Sequence, residues 1–225
     1  MTYTFLWIGL AIAALDWVAV AKQWKVVEYI AKPGVTLALL AWLWSAGGWQ
    51  GHILWFTIGL AFSLAGDILL VLPREQLIAG LGAFLLAQIA YIVGFNETLP
   101  PINLASIAIA LLVGLSAQSL YRLIAAGLTA SGRHSLKMPV LAYVVAISLM
   151  LISALLTLVR SEWDAGSAWL VSSGAILFFL SDALLGWNKF VHQRRHGNVQ
   201  VIITYHLGQA LIVLGAAAYY LSNSA

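Results

Sequence analysis

Apolar residues fill the chain in uninterrupted runs separated by short polar segments, and none of the runs alternates with period two. Each run is near the ~20 residues that carry a helix across ~30 Å of hydrocarbon, whereas a transmembrane β-strand needs only ~10 alternating residues. The pattern predicts an all-α polytopic membrane protein with eight transmembrane helices, at about 3–21, 30–46, 52–71, 77–95, 102–121, 138–158, 168–187 and 199–221. The second run is short, and the Lys32-Pro33 step is expected at its mouth, because proline fits the first turn of a helix. No basic stretch precedes the first run, so it reads as a span and not as a cleavable signal. The whole chain is expected to form one transmembrane domain, with no soluble domain or tail.

Composition excludes the soluble alternative: 62% of residues are hydrophobic and 8% charged, against roughly 45–50% and about 25% in soluble domains. The absence of cysteine removes disulfides, thiolate metal sites and a cysteine nucleophile. Charge becomes informative once sorted by connection. Lys22, Lys25 and Lys32, then Arg74, then Arg122, Arg133 and Lys137, then Lys189, Arg194 and Arg195 follow spans 1, 3, 5 and 7, while the opposite side holds only Arg160. The positive-inside rule puts those four connections in the cytoplasm and both ends of the chain outside.

Topology then gives depth to the polar residues within the spans, where an ionisable group is costly and is by default a functional hypothesis. Asp16, Asp67 and Asp182 precede Lys22, Arg74 and Lys189 by six or seven residues, which is roughly 10 Å along a helix. Tyr205 and His206 reach a similar depth in the last span, and Gln88, Tyr91 and Gln209 lie somewhat deeper. Asp16 reads equally well as an interfacial or packing residue. The segments FSLAGDILL (62–70) and ILFFLSDALLG (176–186) each set a small residue, Gly66 or Ser181, before the acid and two leucines after it. Small residues permit close helix approach, so both acids are expected to face the bundle interior. The two segments read as an internal duplication into two parallel four-helix repeats, with Gln88 matching Gln209; coincidence among apolar sequences is the alternative. His192 and His196 read first as part of a solvated basic turn. Trp42, Trp44, Trp49, Trp55, Trp163, Trp169 and Trp187 read as interfacial belt. No phosphate loop, HExxH or GxSxG motif is present, and nothing suggests nucleic-acid binding.

FSLAGDILL, FLLAQIAYIVGF (84–95), AILFFLSDALLGWNKF (175–190) and TYHLGQALI (204–212) together resemble the lysoplasmalogenase family, the bacterial YhhN group. The resemblance implies an integral membrane hydrolase, in a bacterial inner membrane, that cleaves the vinyl ether of a single-chain lysophospholipid to a fatty aldehyde and a glycerophospho-base. Enol-ether hydrolysis starts with protonation of the alkene carbon, and water captures the resulting oxocarbenium ion as a hemiacetal. Two carboxylates whose environments separate their protonation states suit that chemistry, which makes Asp67 and Asp182 the expected acid and base, in either order. Lys32 is expected near the phosphate, with Gln88, Tyr91, Tyr205, His206 and Gln209 supplying hydrogen bonds; Asp16, Ser63 and Ser181 complete the candidate set. The expected partners are the lysophospholipid and the surrounding membrane lipids, with no cofactor, metal or obligate protein partner. Two alternatives stay open: a proton-coupled transporter using the same acids, and a metal-dependent hydrolase with Asp67, Asp182 and His206 as ligands.

Overall fold

The computed structural model describes residues 3–72 and 76–222. Eight helices among them are long and apolar enough to cross a membrane: α1 (Thr4–Lys22), α2 (Lys25–Ser45), α3 (Leu54–Val71), α4 (Leu77–Phe95), α5 (Leu104–Ala130), α6 (Lys137–Leu156), α7 (Ala165–Phe190) and α8 (Gly197–Ser222). No strand occurs among the described residues. Short connections make neighbours antiparallel, so the 22–25, 131–136 and 191–196 turns share one end, the basic end, and Arg160 lies at the other. Arg74 lies outside the described residues.

Two expected boundaries are corrected: α5 runs on to Ala130 and not to 121, so Arg122 lies inside that helix and not in the connection after it, and α2 starts earlier than expected. α2 begins at Lys25, not near residue 30, so Lys32 and Pro33 lie inside the helix and not at its mouth. Its first turns are polar, with Lys25 paired to Glu28 at 2.7 Å, and an apolar run registers only the part that meets hydrocarbon. Pro33 has no N–H to give the Tyr29 carbonyl. α5, α7 and α8 run to 26 or 27 residues, about 40 Å, longer than a ~30 Å hydrocarbon core requires. Asp164 caps α7, its Oδ1 accepting from the Ser167 N–H at 2.9 Å; the Ser167 hydroxyl and N–H hold this carboxyl below its usual range.

Helices pack in a repeated pattern: α1 on α2 as α5 on α6, α2 on α3 as α6 on α7, α3 on α4 as α7 on α8, and α4 on α6 as α8 on α2. Small residues recur in step. The shift that carries Asp67 to Asp182 also carries Gly59 to Gly174, Gly66 to Ser181 and Phe56 to Val171; the shift that carries Gln88 to Gln209 carries Tyr91 to Ile212 and Gly94 to Gly215. A methyl group on Gly59 would run into Tyr91, and one on Gly174 into Ile212. One on Gly94 would meet Phe56, and one on Gly215 would meet Val171. Equivalent contacts at equivalent positions support the duplication. In lipid, where apolar side chains gain little from leaving the solvent, such close backbone approach supplies the packing.

The end opposite the basic loops is tied by polar and aromatic contacts. Arg160 is buried and donates to the Phe95 carbonyl and to Asn96 Oδ1, both at 2.7 Å. Trp163 stacks on Tyr219 at 3.9 Å, and the Tyr220 hydroxyl donates to the Gly94 carbonyl at 2.8 Å. Trp163 and Trp42 are buried and so do not join the interfacial belt, whereas Trp44, Trp49, Trp55 and Trp169 are exposed.

Candidate active site

A cavity of about 540 Å³ opens at the basic end, lined by residues of all eight helices, with Asp182, Tyr143, Ser181, Lys32, Tyr205 and Phe84 among its walls. Its inner walls are otherwise apolar, and its mouth carries charge. A space of this size suits a small-molecule ligand, and its few convergent polar groups meet at one depth.

The two acids are held differently. Asp182 lies on the cavity wall, where its Oδ2 accepts the Tyr143 hydroxyl at 2.5 Å. Asp67 is fully buried behind the wall and does not line the cavity itself. Its Oδ2 accepts from Thr36 at 2.6 Å and from Tyr205 at 2.8 Å. Its Oδ1 faces the Lys32 ammonium at 3.4 Å. Lys32 also lies 5.5 Å over the Tyr205 ring. Tyr205 and Lys32, which hold Asp67, themselves line the cavity, and Asp182 is within electrostatic reach of both Asp67 and Lys32.

The amides form a second tier. Tyr91 donates to Gln209 Oε1 at 2.7 Å, and Gln209 Nε2 reaches the Tyr205 oxygen at 3.5 Å. Gln88, related to Gln209 by the repeat, is buried beside Tyr143. Ser63 is buried close to Tyr91, and Ser181 donates to the Val201 carbonyl at 2.9 Å. Each acid thus has a hydroxyl donor on the preceding helix (Thr36 on α2, Tyr143 on α6) and an amide on a partner helix behind it.

His206 and Asp16 are not brought to this cavity. His206 Nδ1 accepts the Trp17 indole N–H at 3.2 Å, which leaves the proton of a neutral ring on Nε2, 3.8 Å from Asp16 Oδ2. The histidine borders a separate small pocket with Trp17, Ala13 and Val35. It therefore does not complete a three-ligand set with Asp67 and Asp182, and no cluster of three metal-binding side chains occurs among the described residues. Thr36 and Tyr143 are site residues that the reading of charged spans passed over, although both have a signal. Tyr143 lies six residues from Lys137, the depth of the acids, and Thr36 lies one turn beyond Lys32 on the same helix face.

These features define an integral membrane protein with an acid-lined cavity near one face of its helical bundle. The chain belongs to the YhhN family, whose model matches residues 27–216. It is 28% identical over 204 residues to mouse (Mus musculus) Lysoplasmalogenase TMEM86B, covering 90% of this chain and 80% of that protein. It is 30% identical over 171 residues to a Lysoplasmalogenase of Mycobacterium bovis, covering 72% of this chain and 59% of that one. The Escherichia coli O157:H7 protein named Uncharacterized membrane protein YhhN is 32% identical over 95 residues, 40% of this chain and 45% of its own. No solved structure matches.

Proposed function

We propose that this protein is a membrane-embedded hydrolase that cleaves the vinyl ether of lysoplasmalogens. The observation that carries the reading is an aspartic acid on the wall of a cavity of about 540 Å³, with a second acid held behind the same wall by Tyr205 and Lys32. The names of the mouse and mycobacterial relatives support it.

The surroundings divide the roles. Two hydroxyl donors and an ammonium all favour the ionised form of Asp67. Among the described residues only the Tyr143 phenol donates to Asp182, and in this reading Asp182 keeps a proton. Asp182 delivers that proton to the alkene carbon remote from the ether oxygen, and the π electrons form the new C–H bond. The carbon attached to oxygen becomes an oxocarbenium ion, stabilised by the negative charge of Asp67 through the Tyr205 hydroxyl. Asp182, now a carboxylate, takes a proton from the water that attacks this carbon, the acid-then-base exchange familiar from glycoside hydrolysis. The hemiacetal collapses to aldehyde, with the C–O electron pair and a proton leaving on the glycerol oxygen. The basic end lies in the cytoplasm of a bacterial inner membrane, with both ends of the chain outside, so the substrate comes from the inner leaflet.

The test is aldehyde release from a defined 1-alkenyl lysophospholipid by purified protein, with and without a chelator. Asp182→Asn should lower the rate by ~10²–10⁴-fold, the usual worth of a general acid–base group, with unchanged folding. Near-normal turnover by that variant would defeat the mechanism, and absence of any hydrolysis by the wild type would defeat the function.

A further inference from the structure

The mouth of the cavity carries a second arrangement of charge that the two acids do not use. On α7, Asp182, Leu185, Gly186 and Lys189 all lie on the cavity wall, at the i, i+3, i+4, i+7 spacing of one helix face. Lys189 is therefore about 10 Å along the axis from the acid. Beside it Asn188 also lines the cavity, with its amide Nδ2 buried and without a hydrogen-bond partner. A buried donor left unpaired costs ~1–3 kcal/mol, which a ligand oxygen placed there would recover.

Arg133 borders the same mouth from the end of α5. Its position is set by Gly132, which takes φ +70 and turns the chain back so that the Arg133 N–H bonds the Leu128 carbonyl at 2.8 Å. That is a glycine-dependent helix stop. Glu28 lines the cavity from the side of α2. Glu28 is partly buried but its partner Lys25 is largely exposed, and a pair with one end in solvent is weak enough to exchange.

We propose that this mouth is a headgroup site for a phosphodiester bearing a cationic amine, with Lys189, Arg133 and the Asn188 amide on the phosphate and Glu28 on the amine. The assignment rests on the hydrolase reading and adds a ruler to it. Seven bonds separate the protonated alkene carbon of a 1-alkenyl lysophospholipid from its phosphorus, ~8 Å when extended at ~3.5 Å per three bonds. That span matches the offset of Lys189 from Asp182. The chain then continues past Asp182 toward the apolar inner walls, and Lys32, held by Asp67, is left to the chemistry.

The experiment compares three 1-alkenyl substrates of one chain length: the phosphoethanolamine, the phosphate monoester and the headgroup-free glycerol ether. Arg133→Gln with Lys189→Gln should lower the ratio of kcat/KM for the phosphoethanolamine to that for the glycerol ether by about tenfold or more, the scale of a lost charge-assisted hydrogen bond. Glu28→Gln should lower the ratio of the phosphoethanolamine to the phosphate monoester, and Arg133→Lys should keep most of the wild-type selectivity. Unchanged ratios in folded variants overturn the proposal. Binding of a non-hydrolysable 1-alkyl lysophosphoethanolamine to the same proteins separates this inference from the hydrolase reading. Weaker binding by the Gln variants upholds the headgroup site even if no vinyl ether is cleaved, and equal binding overturns it. Displacement of that lipid by inorganic phosphate as readily as by glycerophosphoethanolamine would assign the site to free phosphate and also overturn it.

Discussion

Lys32→Met isolates the charge that Asp67 needs. At 3.4 Å the pair is worth about 5 kcal/mol of attraction at an effective dielectric constant of 20. Without the ammonium, the buried acid can escape by taking up a proton, which costs an ordinary carboxyl about 4 kcal/mol at pH 7 and about 1.5 kcal/mol at pH 5. The smaller cost wins, so Asp67 folds protonated in the variant, and its penalty is capped at those values. Proton uptake on folding becomes easier as pH falls, so the variant recovers stability toward acid. Adding Asp67→Asn removes the acid and with it the penalty. Thermal unfolding in detergent should therefore separate Lys32→Met from Lys32→Met/Asp67→Asn by about 8–16 °C at pH 7 and about 3–6 °C at pH 5, at roughly 2–4 °C per kcal/mol for a chain of this size. A gap that is absent, or that ignores pH, refutes the pairing. Lys32→Met should also lose most vinyl-ether hydrolysis, because a protonated Asp67 offers no charge to an oxocarbenium ion.

Tyr143→Phe removes the hydroxyl that donates to Asp182 and should lower kcat by about tenfold with little change in Tm; an unchanged kcat would take Tyr143 out of the site. Gly59→Ala drives a methyl group into the Tyr91 ring and should destabilise the fold by ~1–3 kcal/mol, with an unaltered melting curve as the contrary result. Because the chain has no cysteine, Ser131→Cys and Ser161→Cys can each be probed with a membrane-impermeant thiol reagent on intact cells. Labelling of Ser161→Cys alone supports basic loops inside; the reverse pattern inverts the orientation.

Much of the fold was legible because hydrocarbon sets a minimum apolar length for every span, and the eight apolar runs correspond to eight helices long and apolar enough to cross a membrane. Position along a helix converts directly into height in the bundle. Direction around the helix was not legible. Tyr205 and His206 are adjacent, about 100° apart at 3.6 residues per turn, and the structure turns Tyr205 toward Asp67 but His206 toward Trp17 and Asp16. Equal depth had grouped them together. Thr36 and Tyr143 escaped notice because a hydroxyl within a span costs far less than a charge and so does not stand out. Lys32 was read at the wrong height because the Pro rule for helix starts competed with two polar but fully helical turns before it.

The clasp around Arg160 has a mechanical consequence. A carrier must open its central site first to one face and then to the other. Opening the Arg160 end would strip a buried guanidinium of two charge-assisted hydrogen bonds, each worth about 1.5–3 kcal/mol, and would unstack Trp163 from Tyr219. The basic end needs no such rupture, since the cavity is already open there. The Arg160 end is therefore the tied end of the bundle and the basic end the open one. On the proposed hydrolase reading, a substrate that enters at the rim also leaves its products there.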